Sequence, residues 1–263
     1  MSQAVTGLHE ALVSVAQAYA DDAARRGELE PIRIGELVRR RDVPDEGFRR
    51  RVADAFDVAP RRRPTTAVLA GYARLKTANL RLLRRAAEAG LRIRPWRGAG
   101  QPYTGSAEMI GELARTRTLY FFPTESGHGP ESADPDHPMC APSEVRVDGF
   151  RLLHNDVFRA VHDIFGHAMA GAGMGPVGEL RAARCHMALY PSAAHPVFFT
   201  EQVAQVCWFF YGPHLRDTAG HLPRPQEPGW LAPPARPYPP QKVFPCPPGL
   251  LHEFRAGPPK EAG

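Results

Sequence analysis

Leu152-Leu-His-Asn-Asp-Val-Phe-Arg-Ala-Val-His-Asp-Ile-Phe-Gly-His167 carries three histidines and two aspartates in sixteen residues, and its reading decides the fold. Wound at about 100° per residue, it places Leu153, Val157, Phe158, Val161, Ile164 and Phe165 on one side. Asn155, Asp156, Arg159, His162, Asp163, Gly166 and His167 fall on the other, within an arc of roughly 140°. A solvated helix face in an arginine-rich chain is expected to carry Lys, Glu and Arg. This one carries His and Asp, whose lone pairs can be given to a cation. Gly166 is a poor helix former, worth about 1 kcal/mol against Ala. Its presence points to something approaching the backbone there.

Two further helices supply matching groups. After the glycine-rich turn Gly171-Ala-Gly-Met-Gly175 a helix is expected from about Val177. Glu179 and His186, seven residues apart, share one of its faces with Ala183 and Tyr190. The stretch Thr200-Glu-Gln-Val-Ala-Gln-Val-Cys-Trp208 reads as a third helix with Glu201, Gln205 and Trp208 along one side. Acids and imidazoles on several helices of a bundle are how helical proteins build metal sites. The candidate ligands are His162, Asp163, His167, Glu179, His186 and Glu201. Their number exceeds what one open ion requires, so one or two ions can be accommodated. Tyr190 and Trp208 are expected to wall the pocket, and Gln205 to line it. Arg159 is expected to clamp a substrate carboxylate or to pair with Asp156 or Asp163.

Outward from this centre, helical spacing covers residues 7–27, 33–41, 45–57 (with Asp45 as cap) and 64–89, with Gly27 and Gly90 as terminators. Residues 91–96 and 118–123 read as short strands on either side of a helix at 106–115. Residues 124–148, dense in Gly, Pro, Ser, Asp and His, read as a long loop of the kind that forms lids. Beyond Gly212 the chain is proline-rich and is expected to wrap the core in extended form, with the last ten residues disordered. The expectation is a mainly α, bundle-like single domain with a few short strands and a proline-rich C-terminal tail. Within it, residues 1–100 form an N-terminal helical segment and residues 101–263 a metal-binding core.

With 263 residues, 43% of them hydrophobic, the chain can bury a substantial core. Its four cysteines show no paired spacing, which argues against a zinc ribbon or a disulfide framework and fits a reducing cytoplasm. No window approaches a membrane span, and no export signal is visible at the N-terminus. The formal charge of +5 comes largely from arginines in the first hundred residues, including Arg39–Arg41, Arg49–Arg51 and Arg61–Arg63. No aromatic residues interleave these clusters, so solvated helix faces are favoured over a nucleic-acid surface.

His162-Asp-Ile-Phe-Gly-His167 resembles the His-x4-His element of the aromatic amino acid hydroxylases, in which two histidines and a later glutamate hold one non-haem iron. That resemblance implies Glu201 as the third ligand. The chain departs from the family in having Asp163 where Glu is usual and in lacking a recognisable pterin-binding motif, which argues against pterin. A second pattern spans residues 101–213. Gln101-Pro-Tyr, Leu119-Tyr-Phe-Phe-Pro-Thr124, Phe158-Arg-Ala-Val-His-Asp-Ile-Phe-Gly-His167, Gly178-Glu, His186-Met, Thr200-Glu, Gln205 and Trp208 resemble an uncharacterised domain of phage-encoded multidomain proteins and bacterial chains. Together these readings predict a cytoplasmic non-haem iron enzyme, with one or two ions, that uses dioxygen to oxidise a small organic substrate such as an amino acid or its derivative. His162, His167 and Glu201 are the expected primary ligands. Asp163, Glu179 and His186 are expected to serve a second ion or to support the first. Homo-oligomerisation stays open. The alternatives are a metal-dependent phosphohydrolase using the His162-Asp163 pair, as in HD enzymes, and a non-enzymatic nucleic-acid-binding domain with a hydrogen-bonded polar core.

Overall fold

The computed structural model of the chain describes residues 2–124, 134 and 136–257. Side-chain caps start the longer helices of its first third. α1 (Gln3–Arg25) follows Ser2, whose hydroxyl accepts from Val5 N, and the chain leaves it through Gly27 at φ 68°. α2 (Ile34–Arg39) is a short turn. Asp45 caps α3 (Glu46–Val58) by accepting from Phe48 N at 2.7 Å, as its position before the apolar run predicts. Thr65 caps α4 (Thr66–Glu88) in the same way, and Gly90 ends it at φ 80°. Each long helix buries one stripe: Leu8, Leu12, Ala16 and Tyr19 on α1, Phe48, Val52 and Phe56 on α3, and Tyr72, Leu75, Asn79 and Leu82 on α4.

β1 (Arg92–Pro95) and β2 (Thr118–Phe121) pair in parallel, Arg92 opposite Thr118 and Pro95 opposite Phe121. A parallel pair needs a crossover, and α5 (Ser106–Thr116) provides it. The expected loop at 124–148 is corrected in its second half. There β3 (Pro142–Val147) pairs antiparallel with β4 (Phe150–Leu153). The turn between them is Asp148-Gly149, at φ 50° and 78°, the pair of positive dihedrals that a two-residue hairpin favours and that Asp-Gly supplies. Of the lid expected over residues 124–148, the part at 125–133 and 135 lies outside the described residues.

The opening stretch forms α6 (His154–His162), which runs directly into a π-helical stretch, Asp163–Ala168. α7 (Pro176–Met187) follows. The third expected helix begins earlier than its Thr200 start. α8 (His195–Phe198), a second π-helical stretch (Phe199–Ala204) and α9 (Gln205–Tyr211) run without a break. α4 packs on α6, α3 on α9, and α1 and α7 on the first π-helical stretch. Helices from the first hundred residues therefore enclose those that carry the candidate site. One buried apolar cluster extends from Leu8 to Phe254, and the chain is a mainly α single domain with a few short strands.

The proline-rich segment runs through turns and two short 3-10 turns, Pro213–Leu215 and Pro233–Ala235, and it is tied down. Val243 bridges to Arg62, and the Lys242 ammonium, buried, donates to the carbonyls of Phe56, Asp57 and Ala59 at 2.7–2.8 Å, closing the C-terminus of α3. The expectation of disorder over the last ten residues is corrected for 254–256, which end a helix, α10 (Pro248–Ala256), that buries Phe254. Residues 258–263 are outside the described residues. All four cysteines are buried and free. Among the described residues, no helix is long and apolar enough to cross a membrane.

Candidate metal centre

His162 and His167 are five residues apart, a spacing that diverges on a regular α-helix. The i→i+5 bonding of a π-helix brings such residues onto one side, and the Asp163–Ala168 stretch does this here, with the two rings edge to face at 4.8 Å between centroids. Glu179, in the first turn of α7, reaches both. Its Oε2 lies 3.4 Å from His162 Nε2 and 3.4 Å from His167 Nε2. Two donors each about 2.1 Å from a common ion at a tetrahedral angle are about 3.4 Å apart, so this spacing fits a metal. Among the described residues, these three side chains are the one group of His, Cys, Asp and Glu whose ligand atoms all lie within 4.8 Å of one another.

Each imidazole is held from behind. His167 Nδ1–H donates to Ala172 O at 3.0 Å, so Nε2 faces Glu179. His162 Nε2 accepts from the Gln202 amide at 3.0 Å, which assigns the proton to Nδ1 and directs it to His186 Nδ1 at 3.2 Å. His186 Nε2–H then meets the Tyr190 hydroxyl at 2.5 Å, and that hydroxyl donates to Asn79 Oδ1. All four groups of this relay are buried. Burial pushes the His186 pKa well below its ordinary value and lowers that of His162, in keeping with neutral rings. For His167 burial acts in the same direction, but the Glu179 charge outweighs it and raises the pKa to about 9. Glu179, half-buried, is held below the ordinary carboxylate range chiefly by His167, against the desolvation that would raise it. Gln202 also donates to Glu179 Oε2 at 3.1 Å, so its amide occupies the lone pairs that an ion would take.

Gly166 is where the sequence placed a close approach. A Cβ there would lie 3.1 Å from His162 Cε1 and Nδ1 and 3.2 Å from Ala182 Cβ. The small residue lets the imidazole and α7 come in together.

The other predicted residues are distributed differently. Glu201 is not gathered with His162 and His167. It belongs to a second buried polar cluster, where it accepts from the Tyr72 hydroxyl and from Gln205 Nε2 at 3.2 Å, with His137 Nε2 at 3.3 Å. Glu201 and Cys140 push the His137 pKa up against burial. However, Met139 N–H donates to His137 Nδ1 at 3.2 Å, and a doubly protonated ring could not accept it, so we assign the neutral tautomer with its proton toward Glu201. His186 has both ring nitrogens committed and supports His162. Asp163 is half-buried beside the triad and feels His167, His162 and Arg159, while burial raises its pKa. Arg159 donates through Nη1 to Phe122 O at 3.2 Å, and no ion pair to Asp156 or Asp163 forms within salt-bridge distance among the described residues. Asp156 instead accepts from Leu153 N and Thr124 N. Tyr190 belongs to the relay. Trp208 turns away from the triad, donating to Asp57 Oδ1 at 2.8 Å and stacking on His214, so the expectation that it walls the site is corrected.

Gln202, Asn79, Tyr72 and His137 carry the two networks and were not foreseen. His137 and Tyr72 come from segments distant in sequence, and only the fold brings them together. No protein-family model, curated protein or solved structure matches the chain.

Proposed function

We propose that the protein is a non-haem iron enzyme, holding one ion on His162, His167 and Glu179, that oxidises a small organic substrate with dioxygen. The observation that supports this reading is the convergence of two imidazole Nε2 atoms and one carboxylate oxygen at mutually metal-compatible distances. Two histidines and one carboxylate on one face, leaving other positions open, are the donor set of non-haem iron oxygenases. Iron bound there would supply the redox chemistry of dioxygen activation. The chain's own residues do the rest. Ala172 O and the His186–Tyr190–Asn79 relay orient the two rings, and Gln202 swings off the lone pairs it caps. The Arg159 guanidinium, with only Nη1 engaged among the described residues, offers its other N–H groups to a substrate carboxylate. An amino acid or a derivative is the substrate class that suits such a clamp.

The same donor set also serves zinc-activated water. A metal-dependent hydrolase, with Asp163 beside the triad as proton acceptor, is therefore the second reading. The arginine clusters lend less to a nucleic-acid reading, since Arg40, Arg50, Arg51 and Arg62 are paired with Asp42, Glu46, Glu253 and Asp136.

Elemental analysis of protein purified without air decides between them. The expected result is about one iron per chain, lost in His162→Ala, His167→Ala and Glu179→Ala and kept in Glu201→Gln, with oxygen uptake when iron and an amino-acid substrate are supplied. Zinc or manganese without oxygen uptake selects hydrolysis. Loss of metal in Glu201→Gln with retention in Glu179→Ala would overturn the ligand assignment.

A further inference from the structure

α4, β1 and β3 border a groove of about 440 Å³, and none of the residues lining it belongs to the triad or to the two buried networks. Its apolar lining, Leu80, Leu83, Leu91, Ile93, Val145 and Val147, is buried or half-buried and forms a floor. The charged lining is exposed: Arg84, Arg92, Arg94 and Arg146, with Glu144 and Asp148. Asp148 Oδ2 lies 3.5 Å from Arg94 Nε, which neutralises that pair. Arg84, Arg92 and Arg146 have no side-chain hydrogen bond or ion pair among the described residues, so three free cations face the single carboxylate of Glu144.

The two strands beside the groove repeat one pattern. β1 exposes Arg92 and Arg94 and buries Ile93 and Pro95, and β3 exposes Glu144 and Arg146 and turns Ser143, Val145 and Val147 inward. A segment lying along them in the same pleat would set every second side chain on the apolar floor and the others beside the arginines. β3 also has a free edge to receive it. In a hairpin with a two-residue turn the flanking pair, here Val147 and Phe150, exchanges both backbone bonds, so the N–H and C=O of Arg146 point away from β4. Neither group has another backbone partner among the described residues. No aromatic side chain lines the groove, so it lacks the stacking platform that single-stranded nucleic acids use.

We propose that this groove is a docking surface for an extended acidic peptide, a segment of a partner protein in which Asp or Glu alternates with apolar residues. The segment adds to the free edge of β3 through the N–H and C=O of Arg146. Its apolar side chains lie on Leu80, Leu83 and Val145, and its carboxylates pair with Arg84, Arg92 and Arg146. The proposal does not rest on the metal reading, since none of these groups belongs to the triad.

The test is fluorescence anisotropy of the full chain with a fluorescein-labelled Glu-Val-Glu-Val-Glu-Val-Glu peptide. Its labelled companions are the same peptide with lysine for every glutamate, versions N-methylated at every valine or at every glutamate, and a short oligothymidylate. The expected result is saturable one-to-one binding of the acidic peptide that weakens as salt is added. The lysine peptide should bind at least about tenfold more weakly. Because an added strand turns only alternate N–H groups toward the edge it joins, one N-methylated version should lose binding and the other keep it. Arg84→Glu, Arg92→Glu and Arg146→Glu each reverse an exposed, unpaired charge, and each should weaken the acidic peptide at least about tenfold at unchanged melting temperature. Reversing Arg84 and Arg146 together should transfer the preference to the lysine peptide. No saturation up to about 1 mM, equal binding of the lysine peptide, equal binding of the two N-methylated versions, or tighter binding of oligothymidylate would each overturn the proposal. So would self-association of the free chain that Arg146→Glu abolishes, which would assign the groove to a second copy.

Discussion

Replacing Glu179 by Gln removes one negative charge from beside two buried imidazoles while keeping the shape of the triad, and the cost should depend on pH in a way the geometry dictates. In metal-free protein the Glu179 carboxylate holds the His167 pKa at about 9, against an ordinary value of 6.5. Such a difference corresponds to about 3 kcal/mol. A raised imidazole pKa contributes its stability in full below the unfolded value of 6.5 and loses it as pH rises through about 9. Glu179 itself, held low by His167, contributes above its ordinary value of 4.5 and loses that contribution as pH falls further. The variant should therefore be most damaged near pH 6, by about 3 kcal/mol, and by less than about 1 kcal/mol at pH 9.5, where His167 is neutral in both proteins. Urea unfolding of chelator-treated wild type and variant at the two pH values measures this directly. Equal destabilisation at both, or a larger loss at alkaline pH, would refute the pairing of Glu179 with a protonated His167.

Tyr190→Phe deletes the hydroxyl between His186 Nε2 and Asn79 Oδ1, leaving two buried polar groups unpaired. The expected loss is about 2 kcal/mol in urea unfolding, with metal affinity about tenfold weaker in chelator competition. Gly166→Ala gains about 1 kcal/mol of helix propensity, but its methyl meets a His162 ring fixed on both sides by hydrogen bonds. The ring cannot give way, so we expect a net loss of about 1–2 kcal/mol together with weaker metal binding; a stabilised variant with full metal loading would contradict this. Gln202→Ala removes a donor that competes with the ion for His162 and Glu179. Its metal affinity should rise severalfold, and loss of metal would instead make Gln202 a ligand.

The fold was legible where local chemistry is self-contained. Asp45 before an apolar run and Gly27 and Gly90 after one define helix ends without reference to the rest of the chain. The β3–β4 hairpin was equally local, and its Asp148-Gly149 signal was swamped by the polar composition around it rather than missing. The site was legible in part, and for a physical reason. A wheel at 100° per residue assumes i→i+4 bonding throughout, and both helices that carry candidate residues abandon it at those residues, in Asp163–Ala168 and Phe199–Ala204. In the first the wider turn gathers His162 and His167, which the wheel had only placed within one broad arc. In the second it helps turn Gln202 toward the triad and leaves the neighbouring Glu201 to Tyr72, His137 and Gln205. Glu179, on a regular helix, needed no such correction of phase. What its sequence position could not reveal is that its carboxylate, rather than that of Glu201, completes the pair of histidines. That choice depends on how deeply α7 approaches the Asp163–Ala168 stretch, and the small residues Gly166 and Ala182 let the two come close. Two π-helical stretches flanking one cluster of donors are more readily understood as serving that cluster than as separate irregularities, since each forgoes regular helix geometry where the same few side chains meet.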